Sequence, residues 1–100
     1  MKVKQFEGRN GPVKNQFIIT DEENPISGNS VEYFQSYDTI IAKRDKFRAG
    51  VDKRQVWLDA EKWDYSVTTG KYRNMFLGET KKETKKKINE GIYILTNLNK

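Results

Sequence analysis

The sequence that decides the fold runs from Trp63 to Gly91 and reads WDYSVTTGKYRNMFLGETKKETKKKINEG. Its first half predicts a short helix. Ser66 or Thr68 can cap this helix, because a hydroxyl just before the first turn accepts an otherwise unpaired backbone N–H. Gly78 is the residue type that ends a helix, since it adopts a left-handed conformation without strain. The apolar side of the helix is predicted to consist of Tyr72, Met75, Phe76 and Leu77.

The second half of this stretch predicts another helix, over residues 81–90. Thr80 and Glu83 have the spacing of a capping box, in which each side chain bonds the backbone N–H of the other residue. Gly91 is placed to close the helix. Only Thr84 and Ile88 repeat at helical spacing, so we expect a surface helix with a narrow contact to the protein body. Its other faces carry Lys81, Lys82, Lys85, Lys86 and Lys87.

The remaining sequence predicts strands and turns. Val3 and Phe6 indicate a short edge strand, and the segments 21–30 and 43–54 are predicted as hairpin loops. Strands are predicted where β-branched and aromatic residues concentrate, at 13–20, 31–37, 39–44, 55–59 and 92–98.

This β-β-β-β-α-α-β order predicts an α+β fold. We expect a mainly antiparallel sheet of about five strands, with two short helices between the fourth and last strands and on one side of the sheet. The 100 residues are expected to form a single globular domain. No apolar run has the length of a membrane span or of a signal-peptide core, so a soluble cytoplasmic protein is expected.

The residue types that are missing exclude several kinds of chemistry. The chain has no cysteine and no histidine, so disulfides, zinc–thiolate sites and triads of the Ser–His–Asp or Cys–His kind are excluded. The sequence contains neither G-x-x-x-x-G-K-[ST] nor G-x-G-x-x-G, the two glycine-rich motifs that bind nucleotides. A carboxylate cluster of Asp59, Glu61 and Asp64 is the one candidate for Mg²⁺. Because Asp59 is also placed to cap a turn, we expect no metal, no cofactor and no enzymatic activity.

Positive charge is concentrated in two segments. The net charge is +5, with 19 basic and 14 acidic residues, and the excess lies in residues 43–54 and 63–91. Cations bind phosphates and aromatic rings stack on unpaired bases, so basic residues interleaved with aromatics predict nucleic-acid binding. A solvated lysine face is the alternative interpretation. The candidate nucleic-acid-binding residues are Arg44, Lys46, Phe47, Arg48, Lys71, Arg73, Lys81, Lys82, Lys85 and Lys86.

Two other interpretations remain open. A basic face also fits an acidic host protein, such as a defence nuclease, and exposed aromatic residues would then anchor the interface. Self-association through an edge strand at 92–98 is the third interpretation. The aromatic candidates for a protein interface are Tyr33, Tyr37, Trp57 and Trp63.

Four groups of residues carry a resemblance to a known family. They are NQF (15–17), YFQSYDTIIAK (33–43), WDYS-x-TT-x-KYRN-x-FLGETKKET-x-KKI (63–88) and L-x-NLN (95–99). These motifs resemble those of a family of small proteins encoded by bacteriophages, plasmids and related mobile elements of Gram-positive bacteria. The resemblance implies an accessory protein that acts in the host cytoplasm, and it carries no catalytic or binding residue with it.

Overall fold

A computed structural model describes residues 2–24, 29–45 and 55–99. These ranges fold as six strands and two helices, and both helices lie between the fifth and sixth strands. The fold is α+β, as the sequence predicts. The elements are β1 (Lys2–Gly8), β2 (Gly11–Asn24), β3 (Asn29–Ser36), β4 (Thr39–Asp45), β5 (Val56–Asp59), α1 (Val67–Leu77), α2 (Lys81–Asn89) and β6 (Tyr93–Thr96).

The six strands form one sheet in the order in which they occur along the chain. The four neighbouring pairs from β1–β2 to β4–β5 are antiparallel, whereas β6 is parallel to β5. The reason is the connection: α1 and α2 carry the chain back to the end of the sheet where β5 begins, and parallel neighbours require such a crossover. The sheet is therefore mixed, with its single parallel pair at one edge.

Two predicted loops differ from the structure. The connection after β2 is shorter than the predicted loop at 21–30, because β2 continues to Asn24, which pairs with Asn29 of β3. Paired extended backbone satisfies its own hydrogen bonds and is favoured over a long open turn. Strand β4 continues to Asp45, and residues 46–54 of the second predicted loop lie outside the described ranges.

Both helices pack on the same face of the sheet. Phe76 of α1 stacks against Phe34 of β3, with 5.8 Å between the ring centroids, and Phe6 of β1 meets Phe34 edge to face. Of the predicted apolar side of α1, Met75 is exposed while Phe76 is buried. The core comprises Phe6, Phe34, Ile41, Ala42, Val56, Leu58, Phe76 and Tyr93, with Trp63, Tyr72, Leu77 and Ile88 partly buried against it.

The ends of the two helices follow the local sequence rules. Ser66 caps α1 by accepting a hydrogen bond from the backbone N–H of Thr69. Thr80 and Glu83 form the predicted capping box of α2. Gly78 and Gly91 have φ angles of 70° and 76°. This is the left-handed conformation expected of a glycine that ends a helix, as the sequence predicts for both residues. Within the described ranges, no helix is long and apolar enough to cross a bilayer.

A buried carboxylate, that of Asp59, holds the end of β5. Its Oδ2 accepts hydrogen bonds from the backbone N–H groups of Glu61 (3.2 Å) and Lys62 (2.9 Å), which confirms the predicted turn cap. Its Oδ1 accepts from the backbone N–H of Leu98 (2.9 Å) and from Nδ2 of Asn99 (3.1 Å). One side chain therefore fixes both the turn after β5 and the segment after β6.

The amide of Asn99 extends this arrangement to β4. The backbone N–H of Ile40 donates to Asn99 Oδ1 over 2.7 Å, and Asn99 Nδ2 donates to the carbonyl of Ile40 over 2.9 Å. The side chain thus pairs with both polar groups of one backbone residue, as a neighbouring strand would. Strand β5 pairs only with residues 42–44 of β4, so the Asn99 side chain supplies the hydrogen-bond partner that Ile40 would otherwise lack on that side.

Asp59→Asn should destabilise the protein by about 2 to 3 kcal/mol, because charge-assisted hydrogen bonds are lost and an amide nitrogen cannot accept from Glu61 or Lys62. Burial alone would raise the pKa of Asp59, but the hydrogen bonds from Leu98, Asn99, Lys62 and Glu61 outweigh it and hold that pKa below its ordinary value of 3.8. The stabilisation is therefore present above the unfolded-state pKa and is lost as the pH falls through the lower folded-state pKa.

Urea unfolding of wild type and Asp59→Asn between neutral and acidic pH measures both effects. The exposed neighbour Glu61 supplies the control, since Glu61→Gln should change stability by less than about 0.5 kcal/mol. A difference between wild type and Asp59→Asn that does not shrink as the pH is lowered would contradict the assignment.

Candidate functional site

Helix α2 presents most of the predicted basic residues to solvent. Its buried side is narrow, because Thr84 alone is fully buried and Ile88 packs partly against the core. Successive residues of a helix are about 100° apart, so Lys82 and Lys86 lie on the side opposite this contact and Lys85 lies on the adjoining flank. All three are exposed. We call Lys82, Lys85 and Lys86 the α2 lysine face.

Three acidic residues around α2, Asp64, Glu79 and Glu83, are engaged in internal contacts, whereas Glu90 at the end of the helix is exposed. Asp64 accepts from Lys81 Nζ over 2.6 Å and from Arg73 over 2.9 Å. Glu79 accepts from Lys87 Nζ over 2.7 Å. These ion pairs leave the α2 lysine face without a carboxylate partner in the part of the chain that the structure describes.

Glu79 joins the loop between the helices to α2 and β6. Its side chain is 4% exposed, and its carboxylate accepts hydrogen bonds from the hydroxyls of Thr84 (2.6 Å) and Tyr93 (2.7 Å) as well as from Lys87. Burial alone would raise the pKa of Glu79, but the bonds from Lys87, Thr84 and Tyr93 hold it below its ordinary value of 4.5. The residue therefore stays ionised and contributes no free negative charge to the surface.

Glu83 is turned back along the helix. Its Oε1 accepts from the backbone N–H of Thr80 over 3.0 Å, and this bond, followed by the bond from the Thr80 hydroxyl, lowers the pKa of Glu83. The carboxylate lies near the amino end of α2, where the helix dipole favours a negative charge. It is therefore held at the amino end of the helix by the Thr80 backbone.

Arg73 does not belong to an exposed basic face. Its residue surface is 1% exposed, and its NH1 donates to the Trp63 carbonyl (2.8 Å) and to Asp64 Oδ1 (2.9 Å). Its NH2 donates to Asn74 Oδ1 (2.9 Å), and the guanidinium lies 5.1 Å from the Trp63 ring centre. Such burial of a cation requires these partners. Arg73 is a structural residue that joins α1 to the preceding turn.

Arg44 is likewise occupied within the fold. Its Nε donates to Glu32 Oε1 over 3.0 Å, its NH1 donates to the Phe76 carbonyl over 2.6 Å, and its guanidinium stacks 4.0 Å from the Phe76 ring centre. The carbonyl is at the carboxyl end of α1, where the last carbonyls of a helix lack helical partners. Arg44 therefore caps α1 from the sheet.

Lys71 and Lys81 line the groove between the two helices. Lys71 is exposed, with its Nζ 5.3 Å from the Tyr72 ring centre. The groove is about 610 Å³ in volume and also contains Tyr65, Val67 and Asn74 in its walls. Lys71 is thus near α2 but lies outside the α2 lysine face. Lys46, Phe47 and Arg48, the other candidate residues, lie outside the described ranges.

The candidate Mg²⁺ carboxylates are directed to other partners. Asp59 is surrounded by backbone N–H donors, Asp64 pairs with Arg73 and Lys81, and Glu61 is exposed. Among the described residues, no group of three metal-binding side chains comes together. The sequence analysis did not predict that Arg73 and Glu79 are buried. For Arg73 there was a signal, because it lies at helical spacing from Thr69 and Phe76, which are both buried on the inner side of α1.

Arg73→Lys should lower the free energy of unfolding by about 2 to 3 kcal/mol, because a lysine keeps the charge but cannot reach three separate acceptors as the guanidinium does. A phosphate-binding arginine on the surface would tolerate this change. Arg9→Lys, at an exposed turn, is the charge-matched control and should be nearly neutral. Equal urea midpoints for the two variants would show that the internal contacts of Arg73 are not needed.

Tyr93 should ionise later than ordinary tyrosines. Burial and the hydrogen bond to Glu79 raise the pKa of Tyr93 to about 12, from an ordinary value of 10.0. A raised folded-state pKa means that the stabilisation is complete below the unfolded-state pKa and is lost as the pH rises towards the folded-state value. Tyrosinate absorbance should show one late step among the five tyrosines, and Tyr93→Phe should remove it. A single step near the ordinary pKa in wild type would contradict the contact.

Comparison with protein families gives one result. A model of a family of unknown function, DUF8033, matches residues 1–91, which include all of the strands and helices except β6. Comparisons with curated proteins and with solved structures found no match. Leu98 and Asn99, which contact Asp59 and Ile40, follow the matched segment.

Proposed function

This chain belongs to the DUF8033 family of unknown function, and we propose that it is a non-enzymatic accessory protein of a phage or mobile element that binds nucleic acid through the α2 lysine face. The origin rests on the resemblance of residues 33–43 and 63–88 to proteins of such elements. We propose that it acts in the host cytoplasm, where nucleic acid is the abundant polyanion.

The observation that carries this proposal is the uneven pairing of charges around α2. Lys82, Lys85 and Lys86 are exposed and have no ion pair with a described residue, while Asp64 and Glu79 are paired internally. Building three unpaired cations on one side of a nine-residue helix concentrates positive potential there.

The chemistry of this face favours phosphate contacts over the reading of bases. Lysine is a flexible point charge, and it lacks the planar fork with which arginine recognises guanine. Lys82 and Lys86 are separated by about 6 Å along the helix axis. The face contains no aromatic ring for stacking. We therefore propose binding that is largely independent of sequence.

Replacing Lys82, Lys85 and Lys86 together by glutamine tests the proposal. The dependence of log affinity on log salt should become shallower by about 2 to 3, since each lost phosphate contact removes roughly 0.7 to 0.9 from the slope. Fluorescence anisotropy with labelled single- and double-stranded oligonucleotides, across a salt series, measures this.

A matched control removes the same charge elsewhere. Lys2, Lys4 and Lys14 are exposed on β1 and β2, and their replacement by glutamine lowers the net charge by the same three units. This control should retain most of the affinity and of the salt slope. Equal losses in the two triple variants would indicate binding by net charge alone, and absence of binding by wild type at low salt would refute the proposal.

A second candidate function is binding to a host protein, and the sheet face opposite the helices favours it. Tyr33, Lys43 and Trp57 lie side by side there on three neighbouring strands, with Lys43 Nζ 4.9 Å from the Trp57 ring centre and 5.9 Å from the Tyr33 ring centre. Aromatic rings of this kind anchor protein interfaces. A partner captured equally by wild type and by the α2 triple variant, after nuclease treatment, would favour this function.

A further inference from the structure

Strand β6 forms an edge of the sheet with which no other described strand pairs. It pairs with β5 on one side and is last in the sheet order. Ile94 and Leu95 are each 42% exposed, and Ile92 just before the strand is 53% exposed. The opposite edge differs, because β1 carries Lys2, Lys4 and Glu7 in exposed positions. Charges at an edge discourage further strand pairing, and β6 has none.

In β6, the backbone N–H and C=O groups of every second residue point away from β5. The carbonyl of Ile92 accepts from Gln55 Nε2 (3.0 Å), that of Thr96 accepts from the Ala60 N–H (2.8 Å), and the Leu98 N–H donates to Asp59 (2.9 Å). These even-numbered residues all face the β5 side. Since the polar groups of a strand alternate in direction, those of the intervening odd-numbered residues, Tyr93, Leu95 and Asn97, face the open edge.

We propose that β6 pairs with β6 of a second copy of this chain in an antiparallel arrangement centred on Leu95. Leu95 then lies opposite Leu95 of the second copy, and Tyr93 lies opposite Asn97. Both pairs consist of residues whose backbone groups face the edge, so each pair exchanges N–H···O=C bonds in both directions. Ile94 comes to lie opposite Thr96 on the other face of the sheet.

The charge pattern favours a second copy as the occupant of this edge. A twofold axis brings each group near its own equivalent, so any charge close to the axis would repel itself. No charged residue occurs between Ile92 and Asn99. At the centre of the pairing an exposed leucine meets an exposed leucine, which removes apolar surface from water. A basic or acidic peptide would gain no complementary charge from this strand.

This pairing produces one continuous twelve-stranded sheet, twice the six strands of one chain. The axis is perpendicular to the sheet, so the helices of both copies lie on the same face. Because Ile88 of α2 and Tyr93 of β6 pack into the same core, the two α2 helices come near the dimer axis. Repulsion between their exposed lysines opposes the pairing, most strongly at low salt. The inference rests on the edge alone and does not depend on nucleic-acid binding.

Sedimentation equilibrium of wild type, Leu95→Lys and Val3→Lys tests the proposal. Leu95→Lys places two like charges at the axis and should weaken association at least tenfold. Val3 is exposed on β1, at the other edge, so Val3→Lys adds the same charge and should leave the dimer unchanged. A monomeric wild type at hundreds of micromolar would overturn the proposal, as would a dimer that Leu95→Lys does not weaken.

Amide hydrogen exchange of wild type gives a measurement that is independent of any variant's folding. The N–H groups of Tyr93, Leu95 and Asn97 should be protected at high protein concentration and should exchange faster on dilution. Exchange at those three amides that is equally fast at all concentrations would overturn the proposal. Oligonucleotide binding is measured separately, so a failure of either hypothesis is recognised without reference to the other.

Discussion

Glu79 lies between the two helices and the last strand, and its buried carboxylate determines how these elements meet. A buried ionised group is stable only when its oxygens are hydrogen-bonded and its charge is compensated. Thr84 and Lys87 of α2 and Tyr93 of β6 meet this requirement. The contacts come from two elements, so the position of α2 over the sheet edge follows from the solvation of one charge.

Asp64 imposes a similar constraint at the other end of the helix pair. It connects the buried guanidinium of Arg73 with Lys81 at the start of α2. Asp64 and Glu79 are both neutralised by internal contacts, and Lys82, Lys85 and Lys86 have no ion pair with a described residue. The positive surface potential of α2 is therefore linked to the internal ion pairs of Asp64 and Glu79, which attach α2 to the rest of the protein.

Local rules predicted the helices well and the long-range contacts poorly. Ser66, Gly78, the Thr80–Glu83 pair and Gly91 act within a few residues of themselves, so their spacing predicted the helix ends. The exposed position of Lys82, Lys85 and Lys86 follows from helical periodicity in the same way. The burial of Arg73 depends on Trp63 and Asp64, and the direction of β6 depends on how the crossover packs; no short pattern encodes either.

The amide of Asn99 serves as the strand partner of Ile40, which lies 59 residues earlier in the chain. During synthesis on a ribosome, β4 is made long before Asn99 emerges, and the polar groups of Ile40 must meanwhile remain bonded to water. The sheet can collapse early around Phe34 and Leu58, but β4 reaches its final pairing only when Asn99 is available. The order in which the chain is made therefore sets a late step in folding, one that joins the middle of the sheet to the segment after β6.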